Sequence, residues 1–339
     1  MKRGLLAIAA FVALAGLAPG AALAHSPTTP GENEGLAAAE TVREPTKSWA
    51  YYSELHEGGE ARYFRLELKA GERLYAGVFL PADTGFLPRI AAMGPGWGNE
   101  SALPAFVEVP PGYGHVVVNG TLGGRDYEPF TPASYYQIGK VDITVNRTAT
   151  YYIAVFEPDR GGKFGIAIGY RESFTAEEWL MIPFRVINIH LWEGQPLALI
   201  LSPLIVTLAL GIALMAWWRR RRGSWPYAFR FWPGALAGLM LAGTGAMTAL
   251  QMAMALSVSG NPAGGVVTAL FAAMPLALGM WALRLARPGQ FDTGFRLRMA
   301  LVGALGLLLW GGLVLGPVLA FVQAGLPGGP KPGTVSREP

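Results

Sequence analysis

The chain has 339 residues, 52% of them hydrophobic, with no cysteine and with 45 glycines and 26 prolines too scattered for a collagen repeat. These figures exclude a fibre, a disulfide-stapled scaffold and disorder throughout. Charge divides the chain: 14 basic and 21 acidic residues from His25 to Glu193 give −7, whereas 11 basic and 2 acidic residues from Gly194 onward give +9. A basic surplus confined to the apolar half reports membrane topology and argues against a nucleic-acid partner.

In chain order, Lys2 and Arg3 precede an apolar run from Leu5 to Leu17, and Ala22-Leu23-Ala24 closes it. This is the pattern of a secretory signal (1–24) cleaved before His25, the alternative being an uncleaved anchor. A polar leader (25–47) follows. Short strands are then predicted at Ala61–Leu68, Arg73–Leu80, His115–Val118, Lys140–Val145, Thr150–Phe156 and Phe164–Tyr170, separated by Pro, Gly and Asn clusters. Tyr63, Arg65, Glu67 and Lys69 alternate with Phe64, Leu66 and Leu68, so one face is buried and one is wet. That pattern predicts a two-layer antiparallel sandwich over 48–172. Thr175 and Glu178 make a capping box that opens a helix (173–193), in which Trp179, Ile182, Val186 and Ile189 share a face suited to the membrane interface. The alternative packs that helix against the sandwich.

Four apolar stretches follow, Pro196–Trp218, Pro233–Val258, Gly264–Leu283 and Met299–Ala324, each long enough to span a bilayer. Arg219 to Arg222, and Arg284, Arg287, Arg296 and Arg298, place two loops in the cytoplasm. The Ser257–Gly264 loop and a disordered tail (325–339) then fall outside. Gly234, Gly238, Ala242 and Ala246, and later Gly312 and Gly316, offer close-approach faces for helix packing. The spans hold no ionised residue and no histidine, which argues against a proton relay and against haem held between helices. Gln251 and Thr244 read as helix-to-helix hydrogen-bonding groups. The bundle is expected to anchor or assemble, as a homo-oligomer or with another membrane subunit; a pore for uncharged solutes is the alternative.

Tyr63-Phe64-Arg65-Leu66 before Ala70-Gly71-Glu72-Arg73-Leu74, Gly94-Pro95-Gly96, and Thr150-Tyr151-Tyr152-Ile153-Ala154-Val155 resemble the bacterial pre-peptidase C-terminal domain pattern. Glu128-Pro129-Phe130-Thr131 to Tyr136, and Gly169-Tyr170-Arg171-Glu172 leading to Glu177-Glu178-Trp179, resemble uncharacterised exported proteins with a membrane tail. The resemblance implies a fold and no mechanism. The expected fold class is therefore an exported all-β, jelly-roll-like sandwich followed by an α-helical four-span transmembrane bundle (194–324), in the plasma (cytoplasmic) membrane.

No hydrolase elbow, Walker loop or zincin motif occurs. Polar and aromatic residues gather in long connections: Trp97, Tyr113, Arg125, Asp126, Tyr127 and Glu128. An aromatic platform beside carboxylates suits a cell-surface sugar or a peptide or protein ligand, with Ca²⁺ as a candidate ion. If the chain begins at His25, its amine and imidazole could chelate copper, completed by His56 or His115. Sequons at Asn99, Asn119 and Asn146 are glycosylation candidates. The expected function is a non-enzymatic, membrane-anchored binding or assembly module with no obligatory cofactor, contacting lipid through its helices. The alternative is a copper-binding or copper-dependent protein.

Overall fold

The computed structural model describes residues 25–100, 102–222, 228–260, 262–286 and 292–327. The signal-like segment 1–24, Arg287 and the tail from 328 lie outside the described residues. The described residues divide into two compact units, one comprising 25–179 with Met254–Val267, the other Leu180–Ala253 with 268–327.

The first unit is built from eleven strands: β1 (Ser26–Thr28), β2 (Glu40–Thr41), β3 (Trp49–Leu55), β4 (Glu60–Leu68), β5 (Arg73–Leu80), β6 (Arg89–Pro95), β7 (Tyr113–Val118), β8 (Arg125–Glu128), β9 (Ala133–Thr144), β10 (Ala149–Glu157) and β11 (Gly162–Ile168). They form a six-stranded sheet, β1-β3-β11-β5-β9-β8, and a five-stranded sheet, β2-β4-β10-β6-β7. Alternation along each strand sends Leu55, Leu74, Val78, Phe164 and Ile166 from the first sheet against Phe64, Leu66, Ile90, Ile153 and Val155 from the second, forming one shared core. Gly71, with φ +90°, supplies the left-handed residue that turns β4 into β5.

The pairing is mixed, not wholly antiparallel as the strand pattern suggested. β1 runs parallel to β3, and β2 runs parallel to β4. Both come from the polar leader, which is therefore built into both sheets; Ser26, Asn33 and Val42 are buried. Lys47, at the end of that leader, donates from Nζ to both carboxylate oxygens of Glu178, at 2.6 and 2.7 Å, and lies 4.3 Å from the centroid of the Trp49 ring. Glu178 is also the far half of the capping box: it accepts from the Thr175 N–H at 2.7 Å while its own N–H donates to Thr175 Oγ1 at 3.2 Å. That box starts helix α1 (Ala176–Trp192).

Among the described residues three helices are long and apolar enough to cross a membrane: Leu197–Arg221, Arg230–Leu256 and Gly265–Leu285. They lie in α2 (Leu197–Arg222), α3 (Ala228–Leu256) and α4 (Gly265–Leu285). The fourth expected span is corrected. Its segment divides into α5 (Thr293–Leu308) and α6 (Leu315–Gly325), and the chain reverses between them. Gly303 abuts Phe321, Gly306 abuts Pro317, and Arg296 Nη2 donates to the carbonyl of Leu326 at 3.1 Å, so the two helices run antiparallel and end together. The reversal carries Trp310, Gly312, Leu313 and Val314 at φ +54°, +74°, +50° and +62°. Gly311-Gly312 lowers the helix propensity there and Pro317 cannot donate in a continuous helix, which is why an apolar run of spanning length folds back. Thr244 Oγ1 accepts the Gly312 N–H at 2.8 Å, giving the interrupted backbone a partner. The small-residue faces pack as expected: a side chain at Gly238 would meet the Gly279 carbonyl and Leu283, and one at Gly316 would meet Met240.

Two outcomes follow. Burial pushes the Glu178 carboxyl up, but Lys47 and the Thr175 N–H together hold it below its ordinary 4.5. Its stabilisation is present above that value and is lost as pH falls through the lower, folded one. Lys47→Ala strands a buried carboxylate and is expected to cost about 3–5 kcal/mol near pH 7, with the difference from wild type shrinking on acidification, read by thermal melts of the full-length protein in detergent. For the reversal, single cysteines in this cysteine-free chain report sidedness: Thr293→Cys and Leu326→Cys should react with an impermeant thiol reagent from the same side of the membrane. Labelling of these two from opposite sides would restore the fourth span.

Candidate functional site

The segments of Trp97 and Tyr113 meet at one end of the five-stranded sheet, but their side chains take opposite faces: Trp97 packs on the core between the sheets and Tyr113 on the other face. β6 runs out through Gly94-Pro95-Gly96 into Trp97, and β7 starts at Tyr113. The two segments meet because glycine leaves room: a Cβ on Gly114 would lie 2.0 Å from the Trp97 carbonyl, and one on Gly94 would lie 2.6 Å from the Trp97 ring. The His115 N–H donates to the Gly98 carbonyl at 3.1 Å and fixes this approach. The Trp97 ring stands 5.5 Å from Tyr151, and the Tyr113 ring 6.0 Å from Tyr152 in an edge-on arrangement. Tyr113 Oη donates to the Thr150 carbonyl at 3.1 Å. Thr150 Oγ1 donates to Glu67 at 3.2 Å, and Arg65 Nη2 donates to the same carboxylate oxygen at 2.6 Å. The result is a half-buried Tyr113–Tyr152 pair flanked by an exposed Arg–Glu pair on one face of the sheet, with Trp97 capping the opposite face. Burial and the neighbouring tyrosines raise the Tyr113 phenol above its ordinary range, so it stays protonated and able to donate.

Arg125, Asp126, Tyr127 and Glu128 do not join that face. They form β8, the edge strand of the other sheet, not a loop. Arg125 is committed to structure: its guanidinium donates to the carbonyls of Ser134 at 3.2 Å and Pro81 at 3.0 Å and covers the Tyr136 ring at 5.2 Å. Its own carbonyl accepts the Gly260 N–H at 3.0 Å, while Gly264 packs on Tyr127, so the segment joining α3 to α4 closes this edge. Asp126 is exposed. Glu128 is the unusual member: burial raises its carboxyl to about 7 against the pull of the Phe130 N–H, 3.1 Å away, and the charge of Glu172 adds to the rise. The Thr131 hydroxyl beside it is buried without a hydrogen-bond partner among the described residues.

The histidines stay apart. His25 shares a hydrogen between Nδ1 and Ser48 Oγ, and burial lowers its imidazole to about 4, which keeps it neutral. His56 is exposed in the turn between β3 and β4, whereas His115 lies in β7. Among the described residues no three His, Cys, Asp or Glu side chains stand close enough to hold a metal ion. Asn99, Asn119 and Asn146 are all exposed at turns or strand ends, although Ser101 of the first sequon lies outside the described residues.

On α1, Ile182 and Ile189 are buried and Trp179 and Val186 half-buried, whereas Leu180, Met181, Phe184 and Leu191 are exposed. The same helix ends in a polar network that sequence reasoning did not assemble. His190 Nδ1 meets Glu193 Oε2 at 2.8 Å, Gln195 Nε2 donates to that oxygen at 3.2 Å, and Gln195 and Gln251 exchange amide hydrogen bonds at 3.0 and 2.8 Å. This ties the α1–α2 turn to α3. Gln251 was legible as a helix-bridging group; its partner, 56 positions earlier, carried no local signal.

No protein-family model matches the chain, and no curated protein matches it.

A carboxyl raised in the folded state stabilises least where it must ionise. Below pH 4.5 Glu128 is protonated in both states, and the folded state loses stability as pH rises through about 7. Glu128→Gln should therefore match wild type at pH 4 and exceed it by about 2–3 kcal/mol near pH 8.5, measured as denaturation midpoints of the full-length protein.

Proposed function

We propose that this protein is a membrane-anchored, non-enzymatic recognition module whose sandwich lies outside the cytoplasmic membrane and binds a polar ligand, a sugar or a peptide, at the Tyr113–Tyr152 face of the five-stranded sheet. The observation that carries this reading is the juxtaposition itself. Two aromatic side chains from different strands, Tyr113 and Tyr152, are held half-buried on one face of a rigid sheet, beside the Arg65–Glu67 pair. Aromatic faces take the apolar side of a sugar ring or a peptide side chain, and adjacent charged groups fix its orientation. The resemblance to pre-peptidase C-terminal domains supports an appended module, and the positive charge after Trp218 supports an outward-facing sandwich.

Purified full-length protein in neutral detergent, screened on immobilised glycans and peptides, tests this. Tyr113→Ala is expected to weaken the strongest hit about tenfold or more, as truncation of an aromatic anchor does, while Asp126→Ala leaves it unchanged. Equal binding by wild type and Tyr113→Ala, with unchanged melting, would overturn the assignment.

A further inference from the structure

One end of the helical unit collects arginines from four helices. α2 finishes in Arg219, Arg220, Arg221 and Arg222, α3 carries Arg230 in its first turn, α4 has Arg284 in its last, and α5 begins with Arg296 and Arg298. Packing brings these ends together. Gly211 of α2 meets Leu239 of α3, and Leu204 meets Gly243, so the two helices are antiparallel and the end of α2 lies beside the start of α3. Gly234, near that start, meets Met299 of α5, Gln323 of α6 and Ala286 just beyond α4. The start of α5, with Arg296 and Arg298, therefore joins the cluster.

Little in the chain neutralises it. No acidic residue occurs between Gly194 and Phe291. Asp292 is occupied as the N-cap of α5, accepting the Phe295 N–H at 2.7 Å, and stands 3.9 Å from Arg298. Arg296 is spent on the Leu326 carbonyl. Arg219, Arg220 and Arg221 are exposed and make no ion pair among the described residues. Arg221 lies 4.4 Å from the centroid of the Trp217 ring, and Trp217 and Trp218 are 47% and 44% exposed. About one and two turns earlier on the same helix α2, Leu214 and Leu210 are exposed apolar side chains.

We propose that this arginine collar binds the phosphate headgroups of anionic phospholipids. The guanidinium fork matches a phosphate in two parallel hydrogen bonds, and among the described residues Arg219, Arg220 and Arg221 meet no carboxylate. Indole rings settle at the headgroup level, and a basic cluster directly beyond a spanning helix is drawn to an anionic leaflet. The exposed leucines next to the collar distinguish a lipid from a free anion or a nucleic acid, because only a lipid supplies a phosphate and an acyl chain to the same helix.

The test uses full-length protein in neutral detergent, titrated with phosphatidylglycerol or phosphatidylcholine and read by native mass spectrometry and thermal shift. Phosphatidylglycerol is expected to bind about tenfold or more tightly than phosphatidylcholine, and the combined R219Q/R220Q/R221Q variant to lose most of that preference. Raising salt from about 0.05 to 0.5 M should weaken wild-type binding, an arm that needs no variant to fold. Equal affinity for the two lipids, salt-independent binding, or a variant that keeps the preference would overturn the proposal. So would inorganic phosphate or an RNA oligonucleotide displacing the lipid at matched phosphate concentration.

Discussion

The ammonium of Lys47 is buried, and a buried charge without a partner would cost more than most side chains contribute. Its two short hydrogen bonds to Glu178 therefore constrain everything attached to either residue. Lys47 follows β2 and precedes β3, and the backbone around it is fastened to the far end of β11: the Ser48 N–H donates to the Arg171 carbonyl at 2.9 Å, and the Tyr170 N–H donates to the Thr46 carbonyl at 3.0 Å. Glu178 closes the capping box with Thr175. One ion pair thus sets the leader, the exit of the last strand and the first turn of α1 in a single arrangement, and the Trp49 ring over the ammonium shields it from water.

In the helical unit the corresponding constraint is that backbone groups in apolar surroundings must find partners within the protein. Thr244 meets it at the α5–α6 reversal: its hydroxyl donates within α3, at 3.1 Å to the Met240 carbonyl and 3.0 Å to that of Leu241, while its oxygen accepts the Gly312 N–H. Gln323 repeats the device near the other end, accepting the Gly234 N–H at 3.0 Å. The stack of Trp310 on Phe271, 5.4 Å apart and 12° from parallel, holds the strained turn in place. A non-glycine residue at positive φ costs about 1–3 kcal/mol, so a turn with several of them persists only where such contacts over-determine it.

Much of this was legible in the residues, and the exceptions have causes. β5 is Arg73–Leu80 in both readings, and β4 and β10 differ by a residue or two at their ends, because period-two alternation with aromatic and β-branched residues is a strong signal. β6 escaped because Ile90-Ala91-Ala92-Met93 favours helix locally, and β8 because Arg125-Asp126-Tyr127-Glu128 is polar throughout. β1 and β2 are too short to carry a period. The fourth apolar segment was ambiguous by length, since a hairpin and a span need the same composition; Gly311-Gly312 and Gly316-Pro317 marked the break but also fitted a close-packing face. At the site, glycine-flanked Trp97 and Tyr113 could be picked out individually. That Tyr113 would meet Tyr152 while Trp97 turns to the opposite face against Tyr151, and that Arg125 to Glu128 would join the other sheet, depends on strand pairing, which is a long-range property.

The way the sheet edges are closed decides what kind of recognition the sandwich can perform. An open edge strand invites another chain to add by backbone pairing. Here the outer strands β1 and β2 span only three and two residues. The carbonyl of Arg125 on β8 is taken by Gly260, and the start of β7 is covered where His115 bonds Gly98 and Glu100. Strand addition therefore has little free backbone to use. What remains accessible is side-chain surface, and the aromatic part of it beside β7 is rigid because Tyr113 stands edge-on to Tyr152 and its hydroxyl donates to the Thr150 carbonyl. A surface of that kind loses little conformational freedom when it binds, which favours side-chain recognition of a small polar ligand over capture of an extended peptide backbone.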